Sequence, residues 1–264
     1  MNIYIKNTQE IKKMRISAYL ASEVLRNIKQ YIIPGVTTTE LNDICYNYII
    51  KKKAIPGCVG YHGFPNSICI SVNEIACHGV PSKKKKLKNG DIVNIDVTII
   101  KDKYYADTAK MFIVGKTHQL AYSLCKVAKQ SLYMTFPIIR PGLPINIIGK
   151  TIQNYVNTTP FSIVEEYCGH GIGTSFHEAP YILHYHYHED KIFLKPGMIF
   201  TIEPIINAGK KDVFCMNDNW TICTKDYSLS AQYEHTILIT KNGCEILTKR
   251  KNEKIKRTYF NQSK

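Results

Sequence analysis

The stretch Val93-Asn94-Ile95-Asp96-Val97-Thr98 decides how this sequence folds. Ile95 and Val97 fall on one side of an extended chain and Asp96 on the other, the two-residue period of a strand with one apolar face. Strand-like composition covers residues 91–100 and resumes over 104–114, so the two runs read as a hairpin. With Lys101-Asp102 as a two-residue turn, Asp96 lies directly opposite Asp107. Cβ atoms so placed are about 4.5–5.5 Å apart, where like charges repel. Two carboxylates in an otherwise apolar hairpin call for a counter-charge, and oxygen ligands of this kind suit a divalent cation. For Asp96 taken alone, a solvated acid on an edge strand serves as well.

Upstream, Ile11, Met14, Ala18, Leu20, Ala21, Val24, Leu25 and Ile28 recur at helical spacing, and Pro34-Gly35 ends that helix. Thr37 with Glu40 three residues on has the form of a capping box and opens a second helix to about residue 52. Past the hairpin, residues 120–136 and 146–156 read as helices, and 199–206, 233–240 and 245–248 as strands. Helix, helix, hairpin is thus followed by helix, helix, strands, a coarse internal duplication. No Gly- or Ser-rich linker interrupts the chain, so one domain is expected.

The later strands also carry acids where apolar residues belong. Glu203 sits in Phe200-Thr201-Ile202-Glu203-Pro204, and Glu234 precedes His235-Thr236-Ile237-Leu238-Ile239. An ionised carboxylate there is costly unless it is paired or binds a metal, although either residue alone also fits a strand end. His170 lies between glycines in Gly169-His170-Gly171-Ile172-Gly173, where the backbone can bend sharply toward a ligand, and His177-Glu178 follows. Two Asp, two Glu and one His form an oxygen-rich donor set. Paired cations about 3.5–4 Å apart activate water and polarise a carbonyl, which is the chemistry of hydrolysis.

The bulk composition narrows the class. At 44% hydrophobic and 21% charged residues, the 264-residue chain has a globular rather than a disordered profile. The nine cysteines include no C-x-x-C pair, which favours reduced thiols over disulfides or a zinc finger. No run approaches the ~18 apolar residues of a membrane span, and the first residues lack the form of a secretion leader. A cytoplasmic protein with no membrane partner is expected. The net charge of +14 has two readings: an acidic partner such as RNA, or a low-GC codon bias toward Lys, Ile and Asn.

Taken in order, Cys77-His78-Gly79, Asn94-Ile95-Asp96-Val97, Asp107-Thr108, Gly169-His170-Gly171-Ile172-Gly173, Phe176-His177-Glu178, Thr201-Ile202-Glu203-Pro204 and Tyr233-Glu234-His235-Thr236 resemble the methionine aminopeptidases of peptidase family M24. The resemblance runs from about residue 10 to residue 250. It implies the pita-bread fold, two pseudo-symmetric α+β halves around a dinuclear metal site, with residues 1–264 as a single catalytic domain. It implies Asp96, Asp107, His170, Glu203 and Glu234 as ligands of two divalent ions (Co, Mn, Fe(II) or Zn). Asp107 and Glu234 would bridge the ions, Asp96 would bind one, and His170 and Glu203 the other. Glu203 would also be the general base toward the bridging water. By the same resemblance His78 and His177 flank the scissile amide as catalytic, substrate-contacting groups. Cys58, Tyr61, Cys69, Phe176 and Trp220 would form the methionine pocket, with Phe64 as a further substrate-binding residue. Phe64 stands where bacterial members often carry Tyr, so that hydroxyl is absent here.

The short intervals from His177 to Glu203 and from Glu203 to Glu234 leave no room for the helical insert of type II enzymes, so the type I, bacterial-like form is implied. Its substrates would be nascent polypeptide N-termini with a small second residue. A monomer is expected, with transient ribosome contact through Lys210, Lys211, Lys225 and the Lys83 to Lys86 run. The competing reading is a catalytically silent pita-bread protein that binds at the ribosome.

His184, His186 and His188 alternate in Leu183-His184-Tyr185-His186-Tyr187-His188. In an extended segment they share one face and could hold an adventitious Zn, Ni or Cu ion. A tolerant surface loop is the alternative.

Overall fold

A computed structural model describes residues 3–188, 191–251 and 253–255. Helix α1 (Thr8–Ile28) starts at Asn7, whose side chain accepts from the backbone N–H groups of Gln9 and Glu10, while Glu10 reaches back to Asn7. Helix α2 (Thr38–Lys51) starts at the expected Thr37–Glu40 capping box. Each cap satisfies backbone donors that an isolated helix end leaves open. The apolar faces of both helices lie on one side of the hairpin. Ala21, Leu25 and Ile28 of α1 join Leu41, Cys45 and Ile49 of α2 and Val93, Ile95, Val97 and Ile99 in one core. The other hairpin face, with Asp96 and Asp107, is left free to meet the second half.

The hairpin consists of Ile92–Lys101 and Tyr104–Ile113, but its register differs from the expected one. Asp96 faces Ala109, and Asp107 faces Thr98. The turn is Asp102-Lys103 rather than Lys101-Asp102, and both turn residues adopt left-handed φ values of 50° and 73°. That is the backbone of a tight hairpin turn, reached here without the usual Asn-Gly signal. A shift of two residues preserves the face, so Asp96 and Asp107 remain on one surface as diagonal neighbours.

The second half repeats the plan. Helices α3 (Gln119–Tyr133) and α4 (Ile147–Val156) cover a core with Phe200, Ile202, Ile237 and Ile239. Those residues belong to a five-stranded sheet in the order Cys244–Ile246, His235–Ile239, Ile199–Ile202, Gly169–Gly171, Glu178–Ile182. The run expected as one strand over 199–206 is broken at Glu203-Pro204. Pro204 has no N–H to extend the ladder. The chain resumes as Ile205–Asn207 in a separate sheet with Ser230–Gln232 and Ser162–Ile163. Glu234 marks the reverse crossing, between Ser230–Gln232 and His235–Ile239. Both glutamates therefore sit where a strand changes sheets, and their side chains escape the alternation of either sheet.

The halves dock at the acids through one backbone hydrogen bond and two threonine hydroxyls. Thr108 Oγ1 donates to the Glu234 carbonyl at 2.8 Å, and the Glu234 N–H donates to Ala109 O at 3.0 Å. Thr236 Oγ1 accepts from the Asp107 N–H at 3.1 Å and donates to Asp107 O at 2.7 Å. No helix among the described residues is long and apolar enough to cross a membrane.

Candidate metal centre

Docking gathers the expected donors. Ligand atoms of Asp107, His170 and Glu234 lie within 4.8 Å of one another, and all three residues are buried. His170 Nε2 is 3.6 Å from Glu203 Oε1 and 4.0 Å from Asp107 Oδ2. Asp96 joins from the same hairpin face as Asp107. His170 Nδ1 lies 2.9 Å from Gly171 O, a contact that places its proton on Nδ1 and leaves the Nε2 lone pair toward the carboxylates. Gly171 is required there, because a Cβ would come within 2.1 Å of Ala179 O.

The electrostatics call for a counter-charge. Burial raises Asp107 to about 6 against the opposing hydrogen bond from Thr98 Oγ1, which is 3.0 Å from Oδ1. Burial likewise raises Glu203 to about 8, and lifts Asp96 and Glu234 well above the carboxylate range, with the Asp107 charge as the next cause for both. Asp96 Oδ1 and Glu234 Oε1 are buried with no hydrogen-bond partner among the described residues. Orphaned buried oxygens are rare in folded proteins, and divalent cations satisfy them. The donor set thus fits metal binding on its own geometry.

Glu203 is held from three sides. Its Oε1 accepts from Thr201 Oγ1 at 2.7 Å, and Oε2 accepts from Gln232 Nε2 at 3.3 Å. Its N–H donates to His184 Nε2 at 3.1 Å. His184 is only 1% exposed, whereas His186 and His188 are exposed with ring centroids 5.1 Å apart. The three histidines therefore do not share a face, because the segment bends rather than running extended, and His184 turns inward to the Glu203 backbone.

A cavity of about 420 Å³ opens beside the donors. Asp96, Asp107, His170 and Glu203 line it, as do all eight residues expected to touch substrate: Cys58, Tyr61, Phe64, Cys69, His78, Phe176, His177 and Trp220. Cys58, Phe64 and Cys69 form its apolar floor, with Phe176 and Trp220 packed against them. Burial lowers both His78 and His177 to about 4, so both are neutral near pH 7. Tyr61 Oη lies 2.6 Å from His177 Nδ1. A donating phenol there fixes the His177 proton on Nε2. His78 adopts a left-handed φ of 54°, and the next residue must be Gly79, because a Cβ there would meet Ile70 O at 2.2 Å.

Sequence reasoning missed Tyr167, Cys168, Glu166 and Tyr181 in the cavity wall. The first two immediately precede Gly169-His170-Gly171, the one signal that could have found them. It also missed Gln232 and Thr201, which have no outward mark beyond their nearness to Glu234 and Glu203.

A model of metallopeptidase family M24 matches residues 12–241. The chain is 60% identical over 262 residues to a methionine aminopeptidase of Buchnera aphidicola subsp. Schizaphis graminum, covering 99% of this chain and 100% of that one. It is 55% identical over 256 residues to the methionine aminopeptidase of Escherichia coli strain K12, covering 97% of each. A crystal structure of methionine aminopeptidase from Rickettsia prowazekii superposes with a TM-score of 0.92 at 46% identity, covering 94% of this chain and all of that one (100%). A prolidase from Pyrococcus horikoshii OT3 matches with a TM-score of 0.73 at 23% identity over 64% of its length, a likeness of fold alone.

Proposed function

This chain belongs to metallopeptidase family M24 and within it to the methionine aminopeptidases, with their pita-bread α+β fold, and from that premise we propose how its own residues remove an N-terminal methionine. The carrying observation is the cluster of four carboxylates beside His170, Asp107 and Glu234 buried and Asp96 and Glu203 half-buried, with orphaned oxygens on Asp96 and Glu234. Asp107 and Glu234 would be shared by two cations, with Asp96 completing one set and His170 and Glu203 the other. Divalent cations held there would polarise the scissile carbonyl and make water nucleophilic at neutral pH. Mn, Fe(II), Co and Zn all suit such donors, and supply in the cell would choose among them.

Glu203 takes the proton of the attacking water and returns it to the leaving amine. With cations bound its carboxylate is deprotonated and can accept that proton, held in place by Thr201 and Gln232. His177, with Nε2–H turned outward by Tyr61, and neutral His78 donate hydrogen bonds around the scissile amide, where charge develops. The methionine thioether packs on Cys58, Cys69, Phe64, Phe176 and Trp220, a surface of thiols and rings. Only a small second residue would fit between the histidines and the donors. We read residues 1–264 as one catalytic domain, of which residues 3–188, 191–251 and 253–255 are described.

The test is release of Met from Met-Ala-Ser and Met-Leu-Ser by chelator-treated protein with each metal restored. We expect metal-dependent release from the first peptide, at least about tenfold faster than from the second. Silence with every metal, in protein shown to be folded, would overturn this reading and favour the silent binding role. That role is otherwise not favoured, since it leaves the orphaned oxygens unexplained.

The substrates would be nascent N-termini, met by a monomer. Lys210, Lys211, Lys225 and Lys83 to Lys86 are exposed and suited to passing contact with ribosomal RNA. Co-sedimentation with ribosomes should weaken steeply as salt rises, and salt-insensitive association counts against the contact.

A further inference from the structure

A second cavity, of about 350 Å³, shares no lining residue with the metal cavity. Its walls come from both halves: the end of α1 with Arg26 and Lys29, Lys110 on the hairpin, Lys129 on α3, and the segment around Arg250. Seven Lys and Arg side chains line it against one carboxylate, Glu253. We propose that this cavity binds an anion carrying several linked phosphate groups. The proposal does not depend on the peptidase reading.

The chain's own anions do not neutralise the cavity. Arg26 is paired with Glu23, and Arg250 Nη1 donates to Glu253 at 2.8 Å. Among the described residues no carboxylate lies within 4.0 Å of the Lys29, Lys110 or Lys129 ammonium. The C-terminal end of α1 contributes roughly half a negative charge, far short of the surplus.

Lys110 is the clearest sign of a missing partner. It lies opposite Ile95 and alternates with Ala106 and Phe112, which are core residues of the same strand face. Binary patterning would place an apolar side chain there. The ammonium instead sits 4.9 Å from the Phe112 ring, beside the guanidinium of Arg250. Holding a cation in such company is unfavourable, and a multivalent anion reverses that cost. Lysine ammoniums act as point charges that follow a phosphate chain without demanding one geometry.

Arg250 makes the site rigid. It is 8% exposed, and its Nη2 donates to Thr108 Oγ1 and Ala109 O, both at 2.8 Å, and to Glu234 O at 3.2 Å. Its Nε is buried without a partner among the described residues. The guanidinium thus spans the seam between the halves, bonded to the backbone of the metal-centre residue Glu234 and to Thr108 and Ala109, which follow Asp107 in the chain. An anion here would close the same seam.

The phosphates could belong to a free oligophosphate or to an RNA strand, and calorimetric titration distinguishes the two. The metal-loaded full chain is titrated with tripolyphosphate supplied as its Mg complex, and with a four-nucleotide RNA, at about 0.1 M salt. The variants are Lys110→Gln/Lys129→Gln, exposed Lys29→Gln in case the first fails to fold, and Lys210→Gln/Lys211→Gln. We expect saturable one-to-one binding of tripolyphosphate. It should weaken about tenfold or more in the first variant and measurably in the second, with the third unchanged, since one charge-assisted contact is worth about one decade. Tighter binding of the tetranucleotide with the same variant pattern assigns the site to an RNA strand, and weaker binding assigns it to free oligophosphate. Saturable binding of neither probe, or equal weakening in the Lys210/Lys211 variant, overturns the proposal.

Discussion

Glu203→Gln should lower kcat by about 10²–10⁴-fold while the chain stays folded, the range a positioned proton-transfer group contributes. Gln keeps the shape and can still bond to Thr201 Oγ1, 2.7 Å away in the parent, but it cannot take a proton. Because Glu203 also lies 3.6 Å from His170 Nε2 among the donors, the assay must be run at saturating metal, with metal affinity measured by separate titration. A kcat within tenfold of the parent under those conditions removes Glu203 from the proton path. His184→Leu is the graded companion. It leaves the Glu203 N–H buried without its acceptor, a loss of about 1–3 kcal/mol. At roughly 2–4 °C per kcal/mol, the melting temperature should drop visibly, and His184→Gln, which retains an acceptor, should recover part of it. Equal melting of the Leu variant and the parent would show that the 3.1 Å contact positions nothing.

Stripped of divalent cations, the chain should lose stability as pH rises from about 6.5 to 8, and the metal-loaded chain should not. Glu203 is raised to about 8, and Asp96 and Glu234 are raised well above the carboxylate range. In that window Glu203 is ionised in the unfolded chain but still holds a proton in the folded one, and the upward shifts of Asp96 and Glu234 act in the same direction. Stability therefore falls with pH, by up to about 1.4 kcal/mol per pH unit for each such group. Below the window the trend is masked. His78 and His177 are lowered to about 4, and His170 and His184 to about 3, against an ordinary value of 6.5. The unfolded chain there gains protons on these histidines that the folded chain refuses, which opposes the carboxylates. Bound metal requires the deprotonated ligands, so loading reverses the slope. Thermal melts at several pH values, with and without chelator, check this. A metal-free melting temperature that is flat or rising between pH 6.5 and 8 would falsify the account.

What could be read from the sequence follows from periodicity. The Ile95/Val97 alternation placed Asp96 and Asp107 on one surface even though the turn was misplaced, because a slip of two residues keeps the face. The capping box at Thr37 and the long apolar periods marked α1 to α4 within a few residues. Strands of three residues, such as Gly169–Gly171 and Ser230–Gln232, are too short to show any period. The sheet change at Glu203 was foreshadowed by Pro204, but the one at Glu234 has no comparable local mark. His184 looked like one of an alternating trio, because burial is a tertiary property that alternation cannot supply. Arg250 lay hidden between Lys249 and Lys251, where nothing in composition separates a seam-spanning guanidinium from its solvated neighbours.

The five donors are divided between the halves: Asp96 and Asp107 come from the first, and His170, Glu203 and Glu234 from the second. A cation bound among them is also a clasp, and its binding free energy counts against any opening of the seam. At a free concentration a hundred times its dissociation constant, it adds about 2.7 kcal/mol. Open chains are what cellular proteases cut, so a cell starved of metal would clear this chain faster as well as run it slower. The lifetime of the polypeptide and its turnover rate would then answer to one supply, without a separate sensor.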